Sequence, residues 1–191
     1  MSVDRTTEII TNQIDRATNA QNTIDYAHHE IHSGSHYFND FSIDIPASDW
    51  LDVRFTTPNT TKWLHMLISI KTQEEGLYQL YETAPTLTAG TALVAENNNR
   101  NTPNSSGISA FDYIINTTEE NANLDTNTSG ATLLRSALLG SNQGNLSGVT
   151  RNENELVLKQ NTAYLIRVNN KISSVRYCSW VLDWYEHTSK G

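Results

Sequence analysis

The strongest pattern in the chain is a strict alternation of side chains over residues 175–187. One face of this stretch carries Cys178, Trp180, Leu182 and Trp184, with Arg176 and Glu186 at its two ends. A period of two is that of a β-strand, in which successive side chains point to opposite faces. Burying each large apolar side chain stabilises a fold by about 1.5–3 kcal/mol, so we expect this row to form part of a core. Because a strand is not stable alone, the rest of the chain must supply its neighbours.

The same alternation recurs in short segments along most of the chain. Strands are predicted over residues 24–32, 36–45, 49–56, 62–71, 76–83, 108–116, 155–160 and 163–169. Residues 131–139 are apolar and predict either a strand or a helical turn. Residues 62–71 and 76–83 are expected to form a hairpin, because only a short turn separates them. Many short strands at short spacing are typical of a β-sandwich or barrel.

Length and composition agree with this fold class. The 191 residues suffice for one domain with an additional arm. Hydrophobic residues make up 37% of the chain and charged residues only 18%, while Asn and Thr, which favour turns and strands, dominate the polar remainder. We therefore predict an all-β fold, a jelly-roll-like antiparallel β-sandwich over residues 24–191, preceded by a short N-terminal arm over residues 1–23. The first and last long strands are expected to lie close together, which would bring residues 28–32 near residues 184–187.

The predicted arm carries three apolar residues, Ile9, Ile10 and Ile14, at a nearly helical spacing. So few apolar residues do not stabilise an isolated helix. The arm is therefore expected either to fray or to become ordered against its own domain or a partner. In the second case these three isoleucines are the predicted partner-binding residues.

Charge and motifs exclude several functions. The formal net charge of −8 argues against nucleic-acid binding through phosphate neutralisation. No apolar run approaches the length of a membrane span, so no membrane partner is expected. The only cysteine, Cys178, lies within the apolar face of a strand and is expected to be a buried side chain rather than a nucleophile. No phosphate loop, dinucleotide fingerprint or nucleophile elbow is present, and no cofactor is predicted.

Histidines cluster between residues 28 and 36, where the sequence offers a candidate metal site. In a strand, His28, Glu30 and His32 would share one face, and imidazole and carboxylate groups are metal ligands. The order differs from the zincin motif, and side chains four positions apart on a straight strand are separated by about 13 Å. A structural role at a strand end or subunit contact is the favoured interpretation, and the metal site is the alternative.

Two further patterns suggest other functions. Trp50 and Trp63 fall on the outward rows of predicted strands, where they could form a platform for sugar or fill an interface. Asp183 and Glu186 are an acidic pair of the kind that glycosidases use, although a chain with 21 acidic residues offers many such pairs.

Three stretches are distinctive when they are taken together. They read His-His-Glu-Ile-His-Ser-Gly-Ser at residues 28–35, Leu-Tyr-Glu at 80–82 followed by Asn-Asn-Asn-Arg-Asn at 97–101, and Leu-Lys-Gln-Asn-Thr-Ala-Tyr-Leu at 158–165 followed by Asp-Trp-Tyr-Glu-His at 183–187. In this order they resemble a family of tailed-bacteriophage virion structural proteins with capsid-decoration or other auxiliary head roles. The resemblance spans about residues 24–187.

The resemblance implies a non-enzymatic virion protein and no catalytic residues. Its expected location is the outer capsid surface, its expected partner is the major capsid protein, and further copies of the chain are a second expected partner. A decoration protein that binds the assembled shell and not the free subunits stabilises the shell by mass action. The alternative is a virion-attached carbohydrate-binding or host-adhesion module.

Overall fold

The computed structural model describes residues 26–84, 89–101, 103–116, 130–140 and 155–188. These residues form one helix, α1 (Tyr26–Ser33), and eleven strands. The strands are β1 (His36–Ile45), β2 (Trp50–Thr56), β3 (Lys62–Thr72), β4 (Gly76–Glu82), β5 (Thr91–Ala92), β6 (Glu96–Asn97), β7 (Ser109–Asn116), β8 (Thr132–Leu139), β9 (Leu156–Leu158), β10 (Ala163–Asn170) and β11 (Arg176–Thr188). The predicted arm, with Ile9, Ile10 and Ile14, lies outside the described residues.

The strands form two sheets in which every described pairing is antiparallel. The five-stranded sheet has the order β6-β1-β11-β3-β9, and the six-stranded sheet has the order β5-β7-β2-β10-β4-β8. Side chains from both sheets meet in one main apolar core. The predicted antiparallel β-sandwich is thus confirmed, whereas the jelly-roll arrangement stays a prediction.

Strand β11 lies at the centre of the five-stranded sheet, between β1 and β3. Its alternating apolar side chains, from Cys178 to Trp184, are at most 3% exposed, so the predicted row is confirmed as part of the core. The indole N–H of Trp180 donates to the side-chain oxygen of Asn39 at 2.8 Å. This bond satisfies a polar group that the core would otherwise leave unpaired.

The central strands of the six-stranded sheet are buried on both faces. Leu51, Val53 and Phe55 of β2 face the core, as their alternation predicts. On the opposite face, Asp52 and Arg167 are only 0% and 1% exposed. The outer face of these strands is therefore covered. Buried polar side chains lie there, where a simple alternation would predict solvent-exposed ones.

The predicted strand over residues 24–32 is wrong, because the described part of this segment belongs to helix α1. Gly34 follows the helix with a φ of 74°. Its N–H donates to the Ile31 carbonyl at 3.1 Å, and the N–H of Ser35 donates to the Glu30 carbonyl at 2.9 Å. These two bonds form a Schellman motif, in which a glycine in the left-handed region satisfies the last carbonyl groups of a helix.

The expected hairpin between β3 and β4 is also wrong. Strand β3 pairs with β11 and β9, whereas β4 pairs with β10 and β8 in the other sheet. The short connection therefore crosses from one sheet to the other. Crossing places Leu64 and Met66 of β3 and Tyr78 and Leu80 of β4 on opposite sides of the same core. A hairpin would instead have put both strands into one layer.

The first and last long strands lie side by side, as the sequence predicts. Strand β1 pairs with β11 along its whole length, from His36 opposite Tyr185 to Ile45 opposite Arg176. Just before β1, the Ser35 carbonyl accepts the backbone N–H of Glu186 at 2.9 Å. The end of helix α1 therefore lies beside residues 184–187.

Candidate functional site

A row of three rings crosses the outer face of the five-stranded sheet. The register places His36 of β1 opposite Tyr185 of β11, and Tyr185 opposite His65 of β3. The rings of Tyr185 and His65 stack with centroids 4.6 Å apart and planes 15° apart, and those of Tyr185 and His36 stack at 6.2 Å. Each residue alternates with core residues on its own strand, which puts all three on the face away from the core. We call these residues the ring row.

His65 connects the ring row to His187, which follows Tyr185 by two positions on the same face of β11. Nε2 of His65 lies 2.9 Å from Nε2 of His187. Nδ1 of His65 lies 3.1 Å from the Tyr185 hydroxyl and 3.4 Å from Oε2 of Glu155. The Tyr185 hydroxyl donates to the same Glu155 oxygen at 3.3 Å, and Nδ1 of His187 lies 3.1 Å from the Thr188 carbonyl. We call these five residues the His65–His187 cluster.

The other end of the ring row is closed to solvent. The His36 side chain is 4% exposed, and its Nε2 lies 3.4 Å from Oδ1 of Asp183. The side-chain amide of Asn98 donates to Nδ1 of His36, and the backbone N–H of Asn98 donates to the His36 carbonyl at 2.9 Å. These two hydrogen bonds hold the segment after β6 against strand β1. The role of His36 is therefore structural.

Glu186 lies on the opposite face of β11 and anchors a loop. Its carboxylate accepts the Ser106 hydroxyl at 2.5 Å and the Gly107 N–H at 3.0 Å. Burial, together with the negative charge of Glu186, raises the pKa of Tyr37 to about 12. Because Asp183 and Glu186 point to opposite faces of the strand, they do not form the acid and base of one hydrolytic site.

The structure separates the three residues of the alternative metal site, His28, Glu30 and His32. His28 and His32 lie one helical turn apart, with their Nε2 atoms 3.0 Å from each other on the exposed surface. Glu30 is instead buried, and its carboxylate lies near His29 and accepts the Ser33 hydroxyl at 3.1 Å. Among the described residues, no group of three or more His, Cys, Asp or Glu side chains is placed to hold a metal ion.

Cys178 is a buried thiol in the core. Burial raises its pKa to about 12. The thiolate that a nucleophilic mechanism needs is therefore not formed near neutral pH.

The two tryptophans suggested as a sugar platform lie on different sheets and on opposite outer faces of the sandwich. Trp50 is half-buried, and the guanidinium of Arg167 covers its ring at 4.9 Å from the ring centroid. Trp63 is 45% exposed. One platform cannot contain both rings, and only Trp63 presents an open face.

An exposed apolar strand forms one edge of the six-stranded sheet. Strand β8 pairs with β4, and no described strand lies on its other side. Leu133, Leu134 and Leu138 are 48%, 40% and 66% exposed. The register between β8 and β4 shifts near Leu80, so that Leu134 has no opposite residue and forms a bulge. We call this feature the β8 edge.

Sequence reasoning missed both the His65–His187 cluster and the β8 edge. His65 and His187 are separated by 122 positions, and each was visible only as a polar residue on the outward face of a predicted strand. The sequence predicts either a strand or a helical turn over residues 131–139, and the two pairs of leucines in this segment are the available signal for the β8 edge.

Ile9, Ile10 and Ile14 remain predicted partner-binding residues that the described ranges do not include. Within the ranges that are described, no helix is long and apolar enough to cross a membrane. The chain matches no protein-family model, and comparisons with curated proteins and with solved structures find no match either.

Proposed function

We propose that the chain is a non-enzymatic structural protein of a tailed-bacteriophage virion, which binds the major capsid protein on the outer surface of the head and stabilises the shell. The motif resemblance described above supports this class of protein. The disposition of Cys178, Asp183 and Glu186 supports a role without catalysis, because none of these groups is arranged as a nucleophile or an acid–base pair.

The β8 edge is the observation that carries the proposal. Soluble proteins usually protect an edge strand with Lys, Pro or a short length. Strand β8 has eight residues, contains Arg135 as its only charged residue, and exposes three leucines. An edge of this kind suits the addition of a strand or an apolar segment from a partner.

The proposed function needs only modest affinity at each site. Binding to the assembled shell, and not to free subunits, lowers the free energy of the shell by mass action. Where a surface lattice repeats the site many times, even a modest contact at each copy contributes to the whole.

The test is co-sedimentation of the full chain with capsids that lack it, compared with phage tails and with host cells. Leu138→Asp changes the β8 edge, and Val94→Asp is the matched control, because Val94 is 62% exposed in the loop between β5 and β6. Losing one buried leucine contact corresponds to about 1.5–3 kcal/mol, which is at least a tenfold loss of affinity. We expect saturable binding to capsids for the wild type and Val94→Asp, and a tenfold or greater loss for Leu138→Asp.

One outcome would reject the proposed function, and a second would reject only the β8 edge as its contact surface. No binding of the wild-type chain to capsids would reject the decoration role. Equal binding of Leu138→Asp and Val94→Asp would retain that role but move the anchor elsewhere. Deletion of residues 1–23 then tests the predicted arm, because a folded truncated chain that no longer binds would make Ile9, Ile10 and Ile14 the candidate contacts.

A virion-attached glycan-binding module is the second candidate function, and one open cleft favours it. The cleft has a volume of about 480 Å³, and its lining combines the apolar residues Leu93 and Phe111 with the polar residues Glu96, Arg100 and Asn104. Sugar sites combine an apolar surface with a few polar groups in this way. Binding to a glycan array that is lost in Asn104→Ala, but kept in Leu138→Asp, would support this function over decoration.

A further inference from the structure

We propose that His65 and His187 bind a divalent transition-metal ion of the zinc type on the outer face of the five-stranded sheet. The two residues lie diagonally across the β3–β11 pair, since His65 is opposite Tyr185 and His187 is opposite Trp63. Diagonal cross-strand positions are within reach of long side chains. The two imidazoles would be the protein ligands, and water would complete the coordination. The inference does not depend on the proposed function.

One arrangement of protons in the His65–His187 cluster turns both Nε2 lone pairs toward a cation between the two rings. Nδ1 of His187 faces the Thr188 carbonyl at 3.1 Å, and a carbonyl oxygen only accepts, so this nitrogen carries a proton. In a neutral imidazole, Nε2 of His187 is then an acceptor.

The same reasoning applies to His65. When the Tyr185 hydroxyl donates to Glu155, Nδ1 of His65 donates to the Tyr185 oxygen and the Glu155 carboxylate. Nε2 of a neutral His65 is then also an acceptor. In this arrangement the two Nε2 lone pairs face each other across 2.9 Å, and a cation between them would be bound by both.

The surroundings are those of a metal-binding histidine pair. Metal-bound histidines almost always donate their second ring N–H to a carboxylate or a backbone carbonyl, which fixes the ring and its tautomer. Glu155 and the Thr188 carbonyl occupy these two positions. Stacking of His65 on Tyr185 holds the ring further, and the His65 and Glu155 side chains are only 16% and 20% exposed.

Zinc binding would require only a small change in the distance between the Nε2 atoms of His65 and His187. Zn–N bonds of about 2.0–2.1 Å at a tetrahedral angle place two ligand nitrogens about 3.3 Å apart. The observed separation of 2.9 Å would therefore open by a few tenths of an ångström. Two neutral nitrogen ligands select zinc, nickel or copper over magnesium or calcium, which prefer oxygen.

The exposed His28–His32 pair is the competing site within the same chain. Its Nε2 atoms are 3.0 Å apart, which resembles the separation in the His65–His187 cluster. Among the described contacts, however, neither helical ring has a carboxylate or carbonyl on Nδ1. The two helical rings must therefore lose more rotational freedom on binding, so we expect the strand pair to bind more tightly.

The experiment is calorimetric titration of the metal-stripped full chain with zinc chloride, with magnesium chloride as the control. We expect a zinc site in the wild type and in His28→Gln, and at least a tenfold weaker site in both His65→Gln and His187→Gln. Glu155→Gln should weaken binding by about tenfold, because it loses the orienting carboxylate. Near-ultraviolet circular dichroism checks that each variant is folded, and zinc should raise the melting temperature of the wild type more than that of His187→Gln.

Two results would overturn the inference. The first is absence of zinc binding to the wild type at millimolar zinc. The second is a single zinc site that His28→Gln abolishes and His65→Gln leaves intact. Ring-nitrogen spectra of the wild type give a check that needs no variant, since zinc must shift Nε2 of His65 and His187.

Discussion

The side chains of Asp52 and Arg167 form a two-point ion pair that is closed off from solvent. The residues are directly opposite each other on β2 and β10, with Nε–Oδ1 and Nη2–Oδ2 distances of 2.8 and 3.0 Å. The exposed fractions of the two side chains are 0% and 1%, and the Trp50 ring lies over the guanidinium. The pair therefore lies within the polar layer on the outer face of the six-stranded sheet.

Removing one partner of this pair should be severely destabilising. Arg167→Met would leave the Asp52 carboxylate buried without its guanidinium, and breaking a buried pair in this way costs about 3–5 kcal/mol. Arg100→Met is the matched control, because its 2.6 Å pair with Glu96 is 70% and 45% exposed and should contribute about 1 kcal/mol or less. Urea denaturation measures both free energies of unfolding. Equal losses for the two variants would show that burial of the Asp52 pair is energetically unimportant.

The end of helix α1 gives a second prediction. Gly34→Ala should lower the free energy of unfolding by about 1–2 kcal/mol, because a φ of 74° places a Cβ against the following carbonyl. Gly34→Asn is the control, since Asn tolerates the left-handed region and should cost less. Thermal and urea unfolding measure the difference, and an Ala variant as stable as the Asn variant would contradict the assignment of the Schellman motif.

Local patterns made part of the fold predictable from the sequence. The alternation in β11 and β3 is a property of neighbouring residues, and burial of Trp180, Trp184, Leu64 and Met66 follows from it. Helix α1 was also locally signalled, by Gly34 after a run without proline, but the alternating histidines favoured a strand. The prediction for that segment followed the strand alternation and was therefore wrong.

Features that depend on pairing between strands far apart in the sequence were not predictable from local patterns. The hairpin expected for β3 and β4 failed because their partners, β11 and β10, lie about a hundred positions away along the chain. The His65–His187 cluster exists only because β3 and β11 pair in one register, and a slip of one residue would turn His65 toward the core. The burial of Asp52 likewise requires Arg167 from another strand.

Glu186 should be required for the loop that contains Gly107. Glu186→Gln removes a charged acceptor of the Ser106 hydroxyl and the Gly107 N–H, and charge-assisted bonds of this kind contribute about 1.5–3 kcal/mol. Glu74→Gln is the control, because Glu74 is 54% exposed in its pair with Arg176. Hydrogen exchange should show faster exchange of the Gly107 amide in Glu186→Gln alone. Unchanged protection of that amide would mean that other contacts hold the loop.

Alkaline pH should destabilise the fold before the buried groups themselves ionise. Burial raises the pKa of the Cys178 thiol from 9.0 to about 12. Burial also raises the pKa values of Tyr37 and Tyr78 from 10.0 to about 12, and the negative charge of Glu186 adds to the shift of Tyr37. At a pH between the unfolded and the folded pKa of such a group, the unfolded chain has released a proton that the folded chain still binds. Stability is therefore full below about pH 9 and falls as the pH rises toward 12, by about 1.4 kcal/mol per pH unit for each such group.

Cys178→Ala separates the thiol from the two tyrosines. The wild type should begin to lose stability above about pH 9, where the unfolded thiol ionises, whereas the variant should begin only above about pH 10, where unfolded tyrosines ionise. The smaller side chain lowers stability by a constant amount, which does not change the slope with pH. Urea denaturation at a series of pH values from 8 upward measures that slope. If both proteins lose stability equally from pH 9, the thiol of Cys178 does not titrate differently in the folded and unfolded states, and the effect of its burial on the pKa is rejected.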